Sequence, residues 1–404
     1  MTGAGAPATK VPSAGSHVPI LDGVRGVAIL MVLCVHFIGD APAYTTVGRV
    51  LVKLANYGIW GVDLFFVLSG FLITGLLYDS KSSPRYFRNF YVRRTLRIFP
   101  LYYGVLAALF IVLPALPVPY PAGLDESARH QGWLWLYVSN AYLAIRQGWA
   151  LPYVGHFWSL AVEEQFYLVW PIVVLTLGRR SLLGACVAVT GLALGLRCAL
   201  SFAGAGDIAV LVLTPCRFDA LCIGGFVALA VRSVGLERVA RTARRCIGPF
   251  AGLVLLASAW NALGGTLLDL VLPMRTTFVA LTFGAALAAS LAARQEGLAS
   301  RVLRSRLMCF IGTRSYGLYV FHGIIAYWMV EHRGIFDALA TRLGYVGAMV
   351  VQAVAGAGFS VLVAAVSYDL YEKRFLRLKN RLAPSRAAPV LDPRPAIDLT
   401  RDEA

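Results

Sequence analysis

Ile20-Leu-Asp-Gly-Val-Arg-Gly-Val-Ala-Ile-Leu-Met-Val-Leu-Cys-Val-His-Phe-Ile38 reads as a hydrophobic helix interrupted by three ionisable side chains, Asp22, Arg25 and His36. Ionisable groups are costly in hydrocarbon, so a span that keeps them must face a polar interior, and each becomes a candidate functional residue. Of the three, His36 is the one suited to exchange a proton near neutral pH. At ~1.5 Å of rise per residue, Arg25 and His36 stand about 16 Å apart along the axis, near opposite ends of the span.

The rest of the chain continues this pattern. Its 404 residues are 58% hydrophobic and only 14% charged, with a mean hydropathy of +0.68. A soluble chain of this length would carry far more charge. Runs approaching the ~20 apolar residues that span hydrocarbon fall at 19–38, 58–77, 98–115, 157–177, 181–200, 210–231, 247–263, 269–292, 308–330 and 346–370. The expected fold class is therefore an all-α integral membrane protein with about ten transmembrane helices, multi-pass in a bacterial cytoplasmic membrane.

The net charge of +16 sits in short basic clusters between these runs. They include Lys81 to Arg97, Arg179 and Arg180, Arg232 to Arg245, Arg294 to Arg306, and Lys373 to Arg381. This is the positive-inside pattern of membrane topology rather than a nucleic-acid surface. All five clusters are cytoplasmic only if Trp133-Leu-Trp-Leu-Tyr-Val-Ser-Asn-Ala-Tyr-Leu143 does not cross. That segment is expected to be re-entrant or interfacial, walling a cavity, with both termini cytoplasmic.

Residues 1–18 lack the apolar core of a signal peptide and read as a disordered N-terminus, leaving the first span as an uncleaved anchor. Residues 19–372 form the membrane domain, and 373–404 a basic, then disordered tail. The seven Cys are scattered without a CxxC pair, so they read as small buried hydrophobes. No HExxH or Asp-rich run calls for a metal.

Depth counting along the spans brings polar groups toward one cavity. His36, Asp63, Glu163, Arg217 and Asp219 fall in the outer part, with Ser69 and His322 nearer the middle. His156, Ser159, Glu163 and Tyr167 recur at helical spacing and form one polar stripe. A Glu at the depth of His36 would orient its imidazole during proton abstraction. Glu163 would equally serve as a structural partner of Arg217, Asp63 as an interhelical partner, and Asp22 as a helix cap or partner of Arg25. His322 divides between function and a hydrogen bond to a neighbouring helix. His130, His156 and His332 fall in predicted loops or at span ends, where surface or interfacial roles are the default. On the cytoplasmic side, Arg94 and Arg97 are i, i+3 neighbours suited to a forked grip on phosphates; topology charge alone is the other explanation, as snorkelling is for Arg25.

These residues also resemble a known family. Leu21-Asp-Gly-Val-Arg-Gly-Val-Ala28 followed by His36 resembles the opening of the membrane acyltransferase-3 family. Gly61-Val-Asp-Leu-Phe-Phe-Val-Leu-Ser-Gly-Phe-Leu-Ile73 resembles its second-helix signature, and Arg93-Arg-Thr-Leu-Arg-Ile-Phe-Pro100 its basic motif. Phe157-Trp-Ser-Leu-Ala-Val-Glu-Glu-Gln-Phe-Tyr-Leu168, Arg217-Phe-Asp-Ala220 and Ser315-Tyr-Gly-Leu-Tyr-Val-Phe-His322 complete the ordered set.

The resemblance implies O-acyl transfer, of an acetyl or other short acyl group, from acyl-CoA to a hydroxyl. The acceptor would be a saccharide, glycolipid or glycosylated natural product such as a macrolide. It makes His36 catalytic, Arg25 its motif partner, and Arg94 and Arg97 donor-binding; depth adds Glu163 as a catalytic helper of His36 and sets Arg25 with the donor-binding arginines. Asp22, Asp63, Ser69, Arg217, Asp219 and His322 are the expected polar framework of the cavity. Acyl-CoA enters as co-substrate, with no tightly bound cofactor. With no SGNH-type extension in view, the chain resembles the stand-alone form. The rival class is a proton-coupled secondary transporter or a glycoside exporter, built from the same intramembrane Arg, Asp, Glu and His. Transporters often show two related halves, and none is visible here.

Overall fold

A chain segment inside hydrocarbon must satisfy its own backbone, and runs of this length do so as helices. The computed structural model describes residues 18–264, 268–294 and 296–383, and among these it contains helices and no strand. The disorder expected of the N-terminus and the end of the tail concerns residues 1–17 and 384–404, which lie outside the described residues.

Helix α1, Pro19–Cys34, opens on a proline, whose missing N–H is harmless at a first helical position, and runs into a π turn over Val35–Gly39. Helix α2, Thr46–Asn56, is capped by Thr45, whose hydroxyl oxygen accepts from Gly48 N–H. It leads to α3, Trp60–Asp79. Helix α4, Tyr86–Ala107, already holds Arg88 to Arg97, so much of the basic segment read as a loop is helical. Three short helices follow: α5, Ala122–Arg129, α6, Gly132–Trp135, and α7, Ser139–Arg146. Then come α8, Trp158–Thr176, α9, Arg179–Phe202, α10, Asp207–Val212, and α11, Thr214–Val234. Helix α12, Leu236–Ala262, returns along α13, Leu268–Leu291. The chain continues through α14, Leu298–Leu303, α15, Arg306–Thr313, and α16, Ser315–Glu331. It ends with α17, Arg333–Ser367, kinked at Gly344, a π turn over Tyr368–Glu372, and α18, Lys373–Leu382.

Seven stretches, those containing α1, α3, α4, α9, α11, α13 and α17, are long and apolar enough to cross a membrane. The protein is an all-α, multi-pass membrane protein. The other three expected spans are also helical but fall short as single apolar rods. Helix α8 carries Glu163, Glu164 and Gln165, α12 begins with Arg238, Arg241, Arg244 and Arg245, and 308–330 is divided at Arg314. The 133–143 segment does not cross: Tyr137, with φ of 55°, separates α6 from α7, which are four and eight residues long. Leu134, Ser139, Asn140 and Leu143 are nevertheless buried, and Gln165 of α8 donates to Tyr137 O and Asn140 Oδ1 at 2.8 and 3.0 Å.

The bundle is knitted where helices meet on small residues. Gly70 of α3 faces Leu221 of α11 and Gly224 of α11 faces Val67 of α3 so closely that a Cβ on either glycine would overlap the opposing carbonyl oxygen. Close backbone approach of this kind is the usual packing device of membrane helices. Two buried ion pairs act across the same region. Arg217 of α11 donates to Asp63 of α3 at 2.5 Å, and Arg197 of α9 donates to Asp219 of α11 at 2.7 Å and to Thr277 of α13 at 2.5 Å.

Candidate active site

The two ends of α1 open on two chambers. The first, about 780 Å³ of space continuous with solvent, is walled by α1, α3, α4, α8 and α16. Arg25, Arg94 and Arg97 line it together with Ser69, Glu163, Tyr167, Ser315 and Tyr316. Arg25 donates to Asp22 at 2.6 Å, one turn earlier on the helix. The Arg94 guanidinium stands 5.4 Å from the centre of the Tyr167 ring, and the Tyr167 and Ser69 hydroxyls are hydrogen-bonded at 2.5 Å. Three guanidiniums against one lining carboxylate leave this chamber cationic, the electrostatics of a site for phosphate or carboxylate groups. Sequence spacing pairs Arg94 with Arg97 and depth sets Arg25 on their side, and the fold brings all three to one chamber.

The second chamber holds about 1540 Å³ of space continuous with solvent. His36 sits on the π turn after α1, a local widening often found at functional positions. The widened turn carries the chain on to Asp40, whose Oδ2 lies 3.2 Å from His36 Nδ1. A carboxylate only accepts, so Nδ1 carries the hydrogen and Nε2 keeps its lone pair for a proton. This is the tautomer and orientation that a base needs.

Two more imidazoles stand behind it. The His322 ring centre lies 5.0 Å from that of His36, and the His156 ring centre lies 4.9 Å from that of His322. His322 Nδ1 donates to Leu318 O at 3.1 Å, and its buried Nε2 has no hydrogen-bond partner among the described residues. His156 is buried rather than at a surface, and its Nε2 donates to Val320 O at 3.1 Å. Its place depends on Gly323, where a Cβ would overlap the imidazole. Aromatic residues Trp149, Tyr153, Trp158 and Tyr327 line the same chamber, with Asn56 and Arg333. In the loop before α8, Tyr153 donates to Glu331; burial first, and then this carboxylate, push the phenol's pKa above its ordinary value. It stays a protonated donor that fastens the loop to α16.

The expected pairing of His36 with Glu163 is therefore corrected. Glu163 lies beside Ser69 and Tyr167 in the arginine chamber, and Asp40 is the carboxylate at His36. Counting helical rise gives depth but not azimuth, so groups of similar depth can face different cavities. Glu163 does not pair with Arg217 either; Asp63 does, as an interhelical partner. Asp219 is taken by Arg197, which the sequence reading missed because it lies within an apolar run. Asp40 was missed as a residue beyond the span, although its i+4 spacing from His36 was a usable signal. Asp22 is the partner of Arg25, and Ser69 reaches the arginine chamber. No cluster of potential metal ligands occurs among the described residues.

Comparison with known proteins bears on this arrangement. The acyltransferase-3 family model, described as an acyltransferase domain, matches residues 18–369. The chain is 26% identical over 329 residues to the O-acetyltransferase OatA of Staphylococcus aureus, covering 76% of this chain and 50% of OatA. It is 27% identical over 372 residues to YrhL of Bacillus subtilis, covering 81% and 54%. Over 163 residues it is 31% identical to the peptidoglycan O-acetyltransferase OatA of Listeria monocytogenes, covering 38% and 24%. The chain spans about half the length of the first two curated relatives, and no solved structure matches it. With the motifs in order and the family model matching across nearly all the helices, the chain belongs to the acyltransferase-3 family.

Proposed function

We propose that the protein is an integral-membrane O-acyltransferase that moves a short acyl group, acetyl in the simplest case, from acyl-CoA to a hydroxyl of a saccharide. The observation that carries this reading is the pair of chambers at the two ends of α1, one lined by Arg25, Arg94 and Arg97 and the other by His36 beside Asp40. Relatives named as O-acetyltransferases support the reaction class.

In this reading both termini and the basic clusters are cytoplasmic, about ten helices cross, and the arginine chamber receives the donor from inside. Arg94 and Arg97 hold its phosphates, aided by Arg25. The acceptor lies in the histidine chamber, where the rings of Trp149, Trp158 and Tyr327 offer flat apolar faces to a sugar. His36 Nε2 takes the proton of the acceptor hydroxyl, and its oxygen attacks the thioester carbonyl carbon. The tetrahedral adduct expels the CoA thiolate, which recovers the proton from the imidazolium. Asp40 stabilises that imidazolium. The relatives' names point to a cell-wall glycan acceptor, with glycolipids and glycosylated macrolides as further members of the acceptor class.

The test is a panel of these acceptors offered to purified protein with acetyl-CoA, read as product mass and free thiol. An acetylated product formed with thiol release supports the reading. Vesicle uptake of a glycoside without thiol release would replace it with the transporter. Arg94→Gln and Arg97→Gln should each raise the KM for acetyl-CoA about tenfold, the loss of one charge-assisted contact.

A further inference from the structure

The two chambers share two lining residues, Val62 of α3 and Tyr319 of α16. A donor held by the arginines and an acceptor beside His36 react only if the thioester passes this partition. Tyr319 is buried, with 7% of its surface exposed, and its ring packs edge-on against Phe65 at 6.1 Å between centres. Its hydroxyl donates to His156 O at 2.9 Å and accepts from the Ser159 hydroxyl at 2.6 Å. His156 lies in the tight turn Gly155–Phe157 just before α8 and Ser159 on the first turn of α8, so the phenol of α16 is latched across the bundle to a different part of the chain. Val62 completes the partition with a side chain that makes no polar contact and is 4% exposed.

Resting on the acyl-transfer reading, we propose that Tyr319 is a latched side-chain gate between the chambers, and that Tyr319 and Val62 together set the length of acyl group that reaches His36. A latched phenol differs from a fixed wall in a useful way. Its two hydrogen bonds can be exchanged for others when the side chain changes rotamer, whereas backbone would have to move as a helix. The opening left when the ring swings is one side chain wide, which admits a pantetheine arm carrying a small acyl group and resists a long one. Tyr319 is a specificity-determining residue in this account and does not itself handle the proton.

The experiment compares acetyl-, butyryl- and octanoyl-CoA as donors with one acceptor, scored by product mass, in wild type, Tyr319→Ala, Tyr319→Phe and Val62→Trp. CoA binding by equilibrium dialysis reports that each variant is folded with an intact arginine chamber. Tyr319→Ala should raise the octanoyl-to-acetyl ratio of kcat/KM about tenfold or more, the scale on which pocket size discriminates chain length. Val62→Trp narrows the passage and should lower octanoyl transfer more than acetyl transfer, moving the ratio opposite to Tyr319→Ala. Tyr319→Phe keeps the ring and loses the latch, and should shift the ratio in the same direction by less. An unchanged chain-length profile in both Tyr319 variants, with CoA binding retained, overturns the gate. If Tyr319→Ala fails to bind CoA, Tyr319→Phe and Val62→Trp decide. Wild-type protein without CoA-dependent transfer would instead overturn the acyl-transfer reading, so the two failures are distinct.

Discussion

At the scale of single residues, the chemistry turns on which nitrogen of His36 is free. Asp40 holds Nδ1–H at 3.2 Å and leaves Nε2 as the acceptor. Asp40→Asn keeps the shape and removes the charge that favours the imidazolium. It should lower kcat roughly 10- to 100-fold while leaving the KM for acetyl-CoA unchanged, because the proposed donor site is in the other chamber. Steady-state kinetics in detergent checks this, and an unaltered kcat would make the pair incidental. The residues of this chemistry were unequally visible beforehand. His36, Arg25, Arg94 and Arg97 stood out because charge within apolar sequence is costly. Asp40, Tyr319 and His156 did not: Asp40 follows the apolar run, Tyr319 is an aromatic among aromatics, and His156 sits at a span boundary. The roles of Tyr319 and His156 arise from contacts between segments far apart in sequence, which no local spacing encodes, whereas Asp40 is a local i+4 neighbour of His36.

Among the elements, α3, α9, α11 and α13 form the framework that holds the chambers in register. The Asp63–Arg217 pair is a buried tie between α3 and α11. Arg217→Met leaves a buried carboxylate without its partner and should cost about 3–5 kcal/mol. Adding Asp63→Leu should recover most of that loss, since replacing a whole buried pair by apolar groups is close to neutral. Thermal unfolding of the single and double variants in detergent measures both effects; a single variant as stable as wild type would show that the pair is no tie. Most helices were legible from apolar run length. Their interruptions were not, because the divisions at Leu213 and Arg314 and the kink at Gly344 come from backbone conformation and packing. The 133–143 segment was an exception. Charge on the flanking loops excluded a crossing, and the left-handed Tyr137 supplies the structural reason.

Over the whole molecule, charge distribution assigns sides. In the proposed topology the basic clusters put the start of α4 and the helix α18 on the cytoplasmic face, with His36 toward the outside. Helix α18 packs beside α4, and Arg93 of α4 donates to Ala383 O at 2.8 Å. A reporter active only in the cytoplasm should therefore work when fused at either terminus. A thiol introduced at Asn56, which lines the histidine chamber, should react with an impermeant reagent added outside intact cells. Labelling only after the cells are opened would invert the topology and with it the direction of donor supply. The membrane fold and the family were legible from composition and ordered motifs. The separation into two chambers was not, because it depends on how α1, α3, α8 and α16 face one another rather than on what each contains.

The central claim is that His36 activates an acceptor hydroxyl toward an acyl group delivered from the arginine chamber. Its most direct measurement is acceptor-dependent release of CoA thiol from acetyl-CoA by purified wild type and His36→Ala, with CoA binding followed in the same samples. The account predicts release by wild type and a loss of about 10²-fold or more in His36→Ala at unchanged CoA binding. Release by His36→Ala at the wild-type rate would contradict it.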